Sequence, residues 1–312
     1  DVLLALNIRH QLDMTLTLLT RKKSLLSLRR PEWSTAPEVN LLEGDVRDFE
    51  CQAASFTHVF HGATDVSLTG TKPLDLADAI VTGSRHVLDV AAQAGVKRYL
   101  FFSSGAVVGQ SVSLDPIAED ALTAPPVCDP DAYSNAKRFA EHLHLLAAAE
   151  SGMEMVIARG FAFVGPRMPL NKFAIGNFIR DALLGVPPRL NTSGFSRRSY
   201  LYAADAACWL IILLAKGRPG LTYNVGSDEA LTVRELANRV ARVLNAPTPK
   251  MPEVREADGE HPSYYVPEIQ RIRKEFDLVP TVLLDDAILR TSRWAVNSGV
   301  LAAPADIEMD TP

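Results

Sequence analysis

Cysteine is scarce in this chain. Cys51, Cys128 and Cys208 are the only three in 312 residues, and their scatter fits neither a disulfide framework nor a metal-ligand spacing. Each reads as a small apolar or near-surface residue, and a reducing cytoplasm is the expected home. No run of apolar residues reaches the roughly eighteen needed for a membrane-spanning helix. Basic residues do not predominate: the formal net charge is −5, which argues against a nucleic-acid surface. No glycine precedes Gly44, so a glycine-rich phosphate loop has no place in the first segment.

The remaining composition, 47% hydrophobic and 22% charged, is that of an ordinary globular protein. Its length allows one large domain or two closely joined ones. "DVLLALNIRHQ" reads as the back half of an amphipathic helix, with Val2, Leu3, Leu6 and Ile8 apolar and no cap before it. The expectation is a chain that starts inside a helix.

Strands and helices then alternate. "MTLTLLT" (Met14 to Thr20), "EVNLLEGD" and "THVFHGA" read as strands. A helix is expected from Leu74 to Ala94, ended by Gly95, and a strand from Val96 to Ser104. A loop with Asp115, Pro116, Pro125, Pro126 and Pro130 leads to a helix from Tyr133. Its apolar face is expected at Ala136, Phe139, Ala140, Leu143, Leu146 and Ala147. "MEMVIARG" is the next strand. Such alternation implies a parallel sheet covered on both faces.

Beyond Phe161 the pattern loosens. "KFAIGNFIRDALLG" is a helix stopped by Gly185, "RRSYLY" a short strand and "AADAACWLIILLA" an apolar helix. "YNVG" is a strand. "LTVRELANRVARVLN" begins a helix with Thr232 as its cap. "VPEIQRIRKEF" and "LLDDAILRTSRWAV" are two more helices, and the polar end "ADIEMDTP" should fray. The expected architecture is α/β: a Rossmann-type doubly wound parallel sheet over residues 1–160. A smaller, mostly helical substrate-binding part follows over 161–312, with some segments returning to the first.

Tyr133 and Lys137 stand four residues apart on one helix face. A free tyrosine titrates near ~10, too high for a base at neutral pH. A neighbouring ammonium stabilises phenolate, so the pair can act as a proton donor or acceptor. Ser103 and Ser104 end the strand upstream, where ligands sit in open α/β sheets. Ser104 can bond the substrate oxygen that Tyr133 protonates. The histidines assemble no metal site: His142 and His144 are two apart on a helix, and His58 and His61 flank a strand end.

At this point the chain resembles the extended short-chain dehydrogenase/reductases, the group of nucleotide-sugar epimerases, dehydratases and reductases. The resemblance covers nearly the whole chain. It rests on "GDVRD", "HGAT", "FFSSGAVVG", "YSNAK", "ARGFAFVGP", "RRSYLYAAD" and "YNVGS", in that order. It implies Tyr133 as catalytic acid/base, Lys137 on the nicotinamide ribose and lowering the Tyr133 pKa, and Ser104 polarising the substrate. It implies Asp45 and Val46 beside the adenine, with His61, Gly62 and Ala63 along the cofactor and Phe161 and Val164 contributing to its pocket. Asn177 and Arg198 would hold the nucleotide-sugar diphosphate, a task suited to the fork of a guanidinium.

The chain also departs from the pattern. The family's G-x-x-G-x-x-G loop and its preceding strand are not found, and residues 1–9 match the far end of the helix that follows that loop. The expectation is that about twenty residues are absent from the sequence, by the span such a strand and loop occupy. "LLTRKK" places Thr20, Arg21, Lys22 and Lys23 where an NAD enzyme carries an acid for the ribose 2′-hydroxyl. Basic residues suit a 2′-phosphate, so NADP is expected, with NAD possible. Gly105 and Ala106 replace the Asp-Glu of 4,6-dehydratases, which argues against water elimination. Val108, Ala162 and Ile80 stand where relatives carry Tyr, Asn and Asn.

The expected function is therefore an NAD(P)-dependent oxidoreductase acting on a nucleotide-activated sugar, as epimerase or 4-ketoreductase. It would work as a homodimer through the helices Leu74–Ala94 and Tyr133–Ala149, with no nucleic-acid or membrane partner. Two alternatives stand beside it: a non-catalytic NADP-binding sensor or scaffold, and a reductase of a non-sugar carbonyl compound.

Overall fold

A computed structural model of the chain describes residues 1–51, 56–64, 72–109, 115–251 and 262–301. Four strands form its central parallel sheet. These are β3 (His58–His61), β4 (Arg98–Ser104), β5 (Glu154–Gly160) and β9 (Thr222–Val225), lying side by side in the order β3-β4-β5-β9. β4 and β5 are buried over most of their length. That is why both read as apolar runs rather than alternating ones. A second parallel pair, β1 (Leu16–Thr20) and β2 (Val39–Glu43), packs against α2 (Lys23–Arg29) and α3 (Pro31–Thr35), and α1 (Val2–His10) precedes it in the chain.

Helices cover both faces of the central sheet. On one face α4 (Pro73–Gln93) and α5 (Ala132–Ser151) bury Leu76, Ile80, Leu88, Ala136 and Ala140 against Tyr99 and Phe101. On the other, α7 (Ala203–Lys216) and α9 (Gln270–Phe276) bury Trp209, Leu213 and Ile272 against Leu100, Val156 and Tyr223. Gly95 and Gly152 take positive φ of 68° and 72°, a backbone region open to glycine at little cost, and turn the chain from α4 and α5 back toward β4 and β5. This is the Rossmann-type α/β arrangement expected from the alternation.

A separate cluster joins α6 (Ala174–Leu183), α8 (Val233–Val243) and α10 (Leu284–Asn297) around Ile175, Ile179, Leu236, Val240 and Ile288. α8 starts on a full capping box. Thr232 Oγ1 accepts from Glu235 N at 3.0 Å, and Glu235 Oε2 accepts from Thr232 N at 2.7 Å.

Three expectations are corrected. "RRSYLY" is not one strand. It divides into β7 (Arg197–Arg198), which pairs with β10 (Leu231–Thr232) and β11 (Tyr264–Tyr265), and β8 (Leu201–Tyr202), which pairs with β6 (Phe163–Val164). Ser199, fully buried between them, marks the crossing from one sheet to the other. The buried stripe of α5 is also different. Phe139 and Leu146 are exposed, while Ala136, Lys137, Ala140, Glu141 and His144 face inward. The alanines let the helix approach β4, and the polar residues beside them are buried because they bond within the protein. Strand β4 starts at Arg98 rather than Val96, because the Val96 N–H bonds back to Ala91 O in the turn. The C-terminal stretch "ADIEMDTP" lies outside the described residues. Among the described residues no helix is long and apolar enough to cross a membrane.

Candidate active site

Ser104 ends β4 in register with Gly160, which ends β5. The chain turns there into a short 3-10 segment, and Ser104 Oγ accepts the Ala106 N–H at 3.2 Å. The serine thus caps the turn that follows its own strand. The Tyr133 phenol, on the first turn of α5, is a neighbour of that hydroxyl. Burial pushes the Tyr133 pKa up, and the nearby Ser104 hydroxyl pulls it down by less. The balance keeps Tyr133 a protonated donor in this geometry, the opposite of the lowering expected from Lys137.

Lys137 is 3% exposed. Its Nζ donates to Phe102 O at 3.0 Å and lies 4.8 Å from the centre of the Phe101 ring. Burial lowers its pKa to about 8, opposed by Glu141 one turn on. Glu141 takes a two-bond fork from Arg159, at 2.9 and 2.8 Å, and Arg159 also donates to Glu119 O at 2.9 Å. Behind the lysine, His144 stacks on Phe101 at 3.9 Å. Its Nδ1 meets Ala140 O at 2.7 Å, so that nitrogen carries the proton and Nε2 accepts from the Tyr99 hydroxyl at 3.2 Å. His61 stacks in turn on Phe101 and His144 and touches Ser84 through Nε2 at 3.3 Å. Burial drives both histidines down, His144 to about 4, so both are neutral at pH 7. His61 is thus a buried member of this stack, 5% exposed, rather than a residue of an open loop.

Arg198, half-buried on β7, donates to Arg197 O at 2.8 Å, Ser263 O at 3.3 Å and Ser263 Oγ at 2.9 Å. Among the described residues no carboxylate pairs with it. A guanidinium held by neutral oxygens alone retains attraction for an anion. Its neighbour across the strand pair is Tyr265, whose ring lies 5.7 Å from the guanidinium carbon. The Tyr265 hydroxyl comes within 3.5 Å of Ser104 Oγ. Arg198 and the serine are thereby joined through one residue.

Asp45 is half-buried after β2 and accepts from Arg47, whose other arm reaches Asp78 on α4. Val46 packs under Gly83, and Gly62 and Ala63 follow the end of β3. Thr20 ends β1, with its hydroxyl 3.5 Å from Lys22 O and Arg21 exposed beside it. Phe161, 8% exposed, packs with Val107, Val108 and Ile117 beside Tyr265. Val164 is at 0% exposure inside the α6–α8–α10 cluster and has no surface to offer a cofactor. Asn177 is half-buried on α6, and no hydrogen bond joins it to Arg198 among the described residues.

A cofactor ribose with its nicotinamide fits the polar atoms at the end of β4. Ser103 Oγ is buried without a hydrogen-bond partner among the described residues, and the Lys137 ammonium has donors beyond its bond to Phe102 O. Neither Tyr265 nor the Glu141–Arg159 fork was foreseen. Tyr265 lies in no motif and reaches Ser104 only through the fold. Glu141 did carry a signal, a carboxylate four residues beyond Lys137 on the same helix face.

A parallel sheet with a serine at a strand end, a tyrosine and lysine on the next helix, and a guanidinium across the opening is the layout of an extended short-chain dehydrogenase/reductase. Residues 8–226 match the model of the NAD dependent epimerase/dehydratase family, and the chain belongs to that family. It is 26% identical over 218 residues to mouse dTDP-D-glucose 4,6-dehydratase, an alignment covering 68% of this chain and 60% of the mouse protein. It is 28% identical over 261 residues to Arabidopsis thaliana UDP-glucuronic acid decarboxylase 3, covering 82% and 74%. The match to decarboxylase 1 of the same plant spans 60% of that protein's length. Among solved structures, dTDP-glucose 4,6-dehydratase of Streptomyces venezuelae superposes with a TM-score of 0.79 at 23% identity, covering 96% of this chain and 92% of that one. UDP-glucose 4-epimerase of Thermotoga maritima superposes at 0.78 with 18% identity, covering 95% of each.

Proposed function

We propose that the protein is an NAD(P)-dependent oxidoreductase of a nucleotide-activated sugar, acting as 4-epimerase or 4-ketoreductase. The observation that carries this reading is Tyr133 beside Ser104 at the end of β4, with the Lys137 ammonium buried one turn further along α5. The bound nicotinamide cofactor would supply hydride exchange with the sugar carbon. Tyr133 passes a proton to or from the oxygen on that carbon, and Ser104 bonds the same oxygen. Lys137 and Ser103 hold the ribose end of the cofactor. Asp45 and Val46 border its adenine, with Gly62, Ala63 and Phe161 along its length. Arg198 and Asn177 take the diphosphate of the sugar nucleotide.

The turn after Ser104 favours these reactions over dehydration. A Cβ on Gly105 would lie 2.5 Å from the Phe161 ring, so a carboxylate side chain has no room there without displacing Phe161. Relatives named as decarboxylases make UDP-glucuronic acid a necessary test compound. The exposed Phe139 and Leu146 on α5 support a homodimer through α4 and α5, which sedimentation would detect.

The test is an assay of UDP-, dTDP-, GDP- and CDP-sugars with both nicotinamide cofactors. The expected products are a 4-epimer or a reduced 4-ketosugar, with Tyr133→Phe slowed at least ~100-fold, the scale of general acid–base catalysis. A 4-keto-6-deoxy product would overturn the epimerase–reductase reading, and full activity in Tyr133→Phe would overturn the enzyme assignment.

A further inference from the structure

Ser104 stands between two carbonyls that α5 holds. Lys137 Nζ donates to Phe102 O, on the strand before the serine, at 3.0 Å. The next residue of α5, Arg138, donates through Nη1 to Val107 O, in the turn after the serine, also at 3.0 Å. The same nitrogen donates to Thr123 O at 2.7 Å, in the loop that leads into α5. One guanidinium nitrogen of this kind carries two N–H groups, so both bonds form at once. Val107 is at 0% exposure, and water does not replace the guanidinium at its carbonyl.

Turn and loop run against each other here. Gly109 ends the turn with a φ of 78°, and a Cβ on it would lie 2.6 Å from Ala124 O. Asn135, earlier on α5, holds the same loop through Pro126 O at 2.8 Å. Its other bond goes to Asp131 O, and none reaches the turn among the described residues. Arg138 is thus the side chain of α5 that holds the turn itself.

The turn in its own right fixes the serine. The Ala106 N–H donates to Ser104 Oγ at 3.2 Å, and the Gly109 N–H donates to Ala106 O at 3.0 Å. The first bond takes one lone pair of the serine and leaves its proton for a substrate oxygen. Tyr133, on the first turn of α5, must reach that same oxygen. The separation of the two hydroxyls therefore depends on how the turn is docked on α5.

We propose that Arg138 is a positioning residue of the proton-transfer step: by holding Val107 O it docks the turn on α5 and sets Ser104 against Tyr133. This rests on Ser104 and Tyr133 acting on one substrate oxygen. Arg138 itself touches no reacting atom. Lys137 is no substitute, because its bond reaches the strand before Ser104 and not the turn after it. A guanidinium suits the task, since its planar fork stays charged and meets two segments at once.

The test compares the wild-type chain with Arg138→Met and Asn135→Ala. Amide hydrogen exchange, followed by NMR in the ligand-free protein, reads the turn directly. The Ala106 and Gly109 amides should exchange about 10- to 100-fold faster in Arg138→Met, the scale of one hydrogen bond from a charged donor. The Ile157 amide, bonded to Leu221 O in the sheet, should keep its wild-type rate. Kinetics with UDP-glucose, UDP-galactose and UDP-glucuronic acid should show kcat lowered about 10-fold in Arg138→Met, with KM and UDP affinity unchanged. In a Ser104→Ala background the same change should cost less than about twofold more, because the group it positions is gone. Arg138→Lys keeps the charge without the fork. It should fall between wild type and Arg138→Met in both readouts, and it serves if Arg138→Met does not fold.

Wild-type exchange at Ala106 and Gly109 in folded Arg138→Met overturns the proposal. An undiminished loss of kcat in the Ser104→Ala background also overturns it. So does an equal loss in Asn135→Ala, which would assign the effect to the loop. A wild-type chain inert on every sugar nucleotide removes the reaction and the positioning role with it. That failure is told apart by exchange rates that still rise in Arg138→Met.

Discussion

Arg159 grips Glu141 in a two-bond fork at 2.9 and 2.8 Å, one helical turn from Lys137, with side chains only 12% and 9% exposed. The pair anchors α5 to β5 from beneath the site. Removing one partner leaves a buried charge uncompensated, which costs about 3–5 kcal/mol. Glu141→Ala should therefore lower the unfolding free energy by about that amount in urea melts. The double change Glu141→Leu with Arg159→Met should cost clearly less, since neither charge is stranded. Equal losses in the single and double variants would contradict the account.

Lys137 is expected to cost the fold stability that function requires. Its pKa is 10.5 in the unfolded reference and about 8 when buried. Below pH 8 both states carry the proton, and the folded state bears the desolvation cost. Between 8 and 10.5 the folded state has released the proton and the unfolded state has not, so stability rises with pH. Lys137→Met should be more stable than the wild-type chain below pH 8, by about 3 kcal/mol at most. That gap should close as pH approaches 10.5, and turnover should be lost. Denaturant melts at three pH values check it, and a gap that does not narrow would refute the burial argument.

Arg198 has only neutral oxygens as partners among the described residues. Arg198→Ala should weaken binding of a nucleoside diphosphate about 10- to 100-fold, the loss of a charge-assisted fork on phosphate. Arg198→Lys should recover part of it, because a lysine restores charge without the bidentate geometry. Calorimetry with UDP and dTDP reads both, and unchanged affinity in the alanine variant would remove Arg198 from the substrate site.

Arg21, exposed at the end of β1 and close enough to Asp45 to lower its pKa, is placed to meet a ribose 2′-phosphate. If NADP is the cofactor, Arg21→Ala should raise the KM for NADPH about tenfold, as loss of a phosphate contact implies, and leave NADH use unchanged. Equal effects on both cofactors, or a wild-type preference for NADH, would point to NAD, which several of the solved neighbours contain.

Much of this was legible along the chain because it is local. Tyr133 and Lys137 share a face by helical spacing, Ser104 ends an apolar strand, and Thr232 announces the start of α8 three residues ahead of Glu235. What was misread was non-local. Phe139 looked like core because apolar residues recur at helical spacing, yet α5 turns Lys137, Glu141 and His144 inward. That choice depends on partners from β4 and β5, among them Phe102, Tyr99 and Arg159. "RRSYLY" looked like one strand because strand propensity does not record which sheet each half joins.

By itself the sequence determined the alternation of strands and helices, the serine at the end of β4, and the tyrosine–lysine pair on the next helix. These follow from periodicity and from neighbours a few residues apart. Only the tertiary structure decided that Tyr265 stands beside Ser104, that Glu141 and Arg159 pair beneath Lys137, and that Arg198 meets no carboxylate among the described residues. Hydrogen-bond partners and local dielectric arise where distant segments pack together, and spacing along the chain does not encode them.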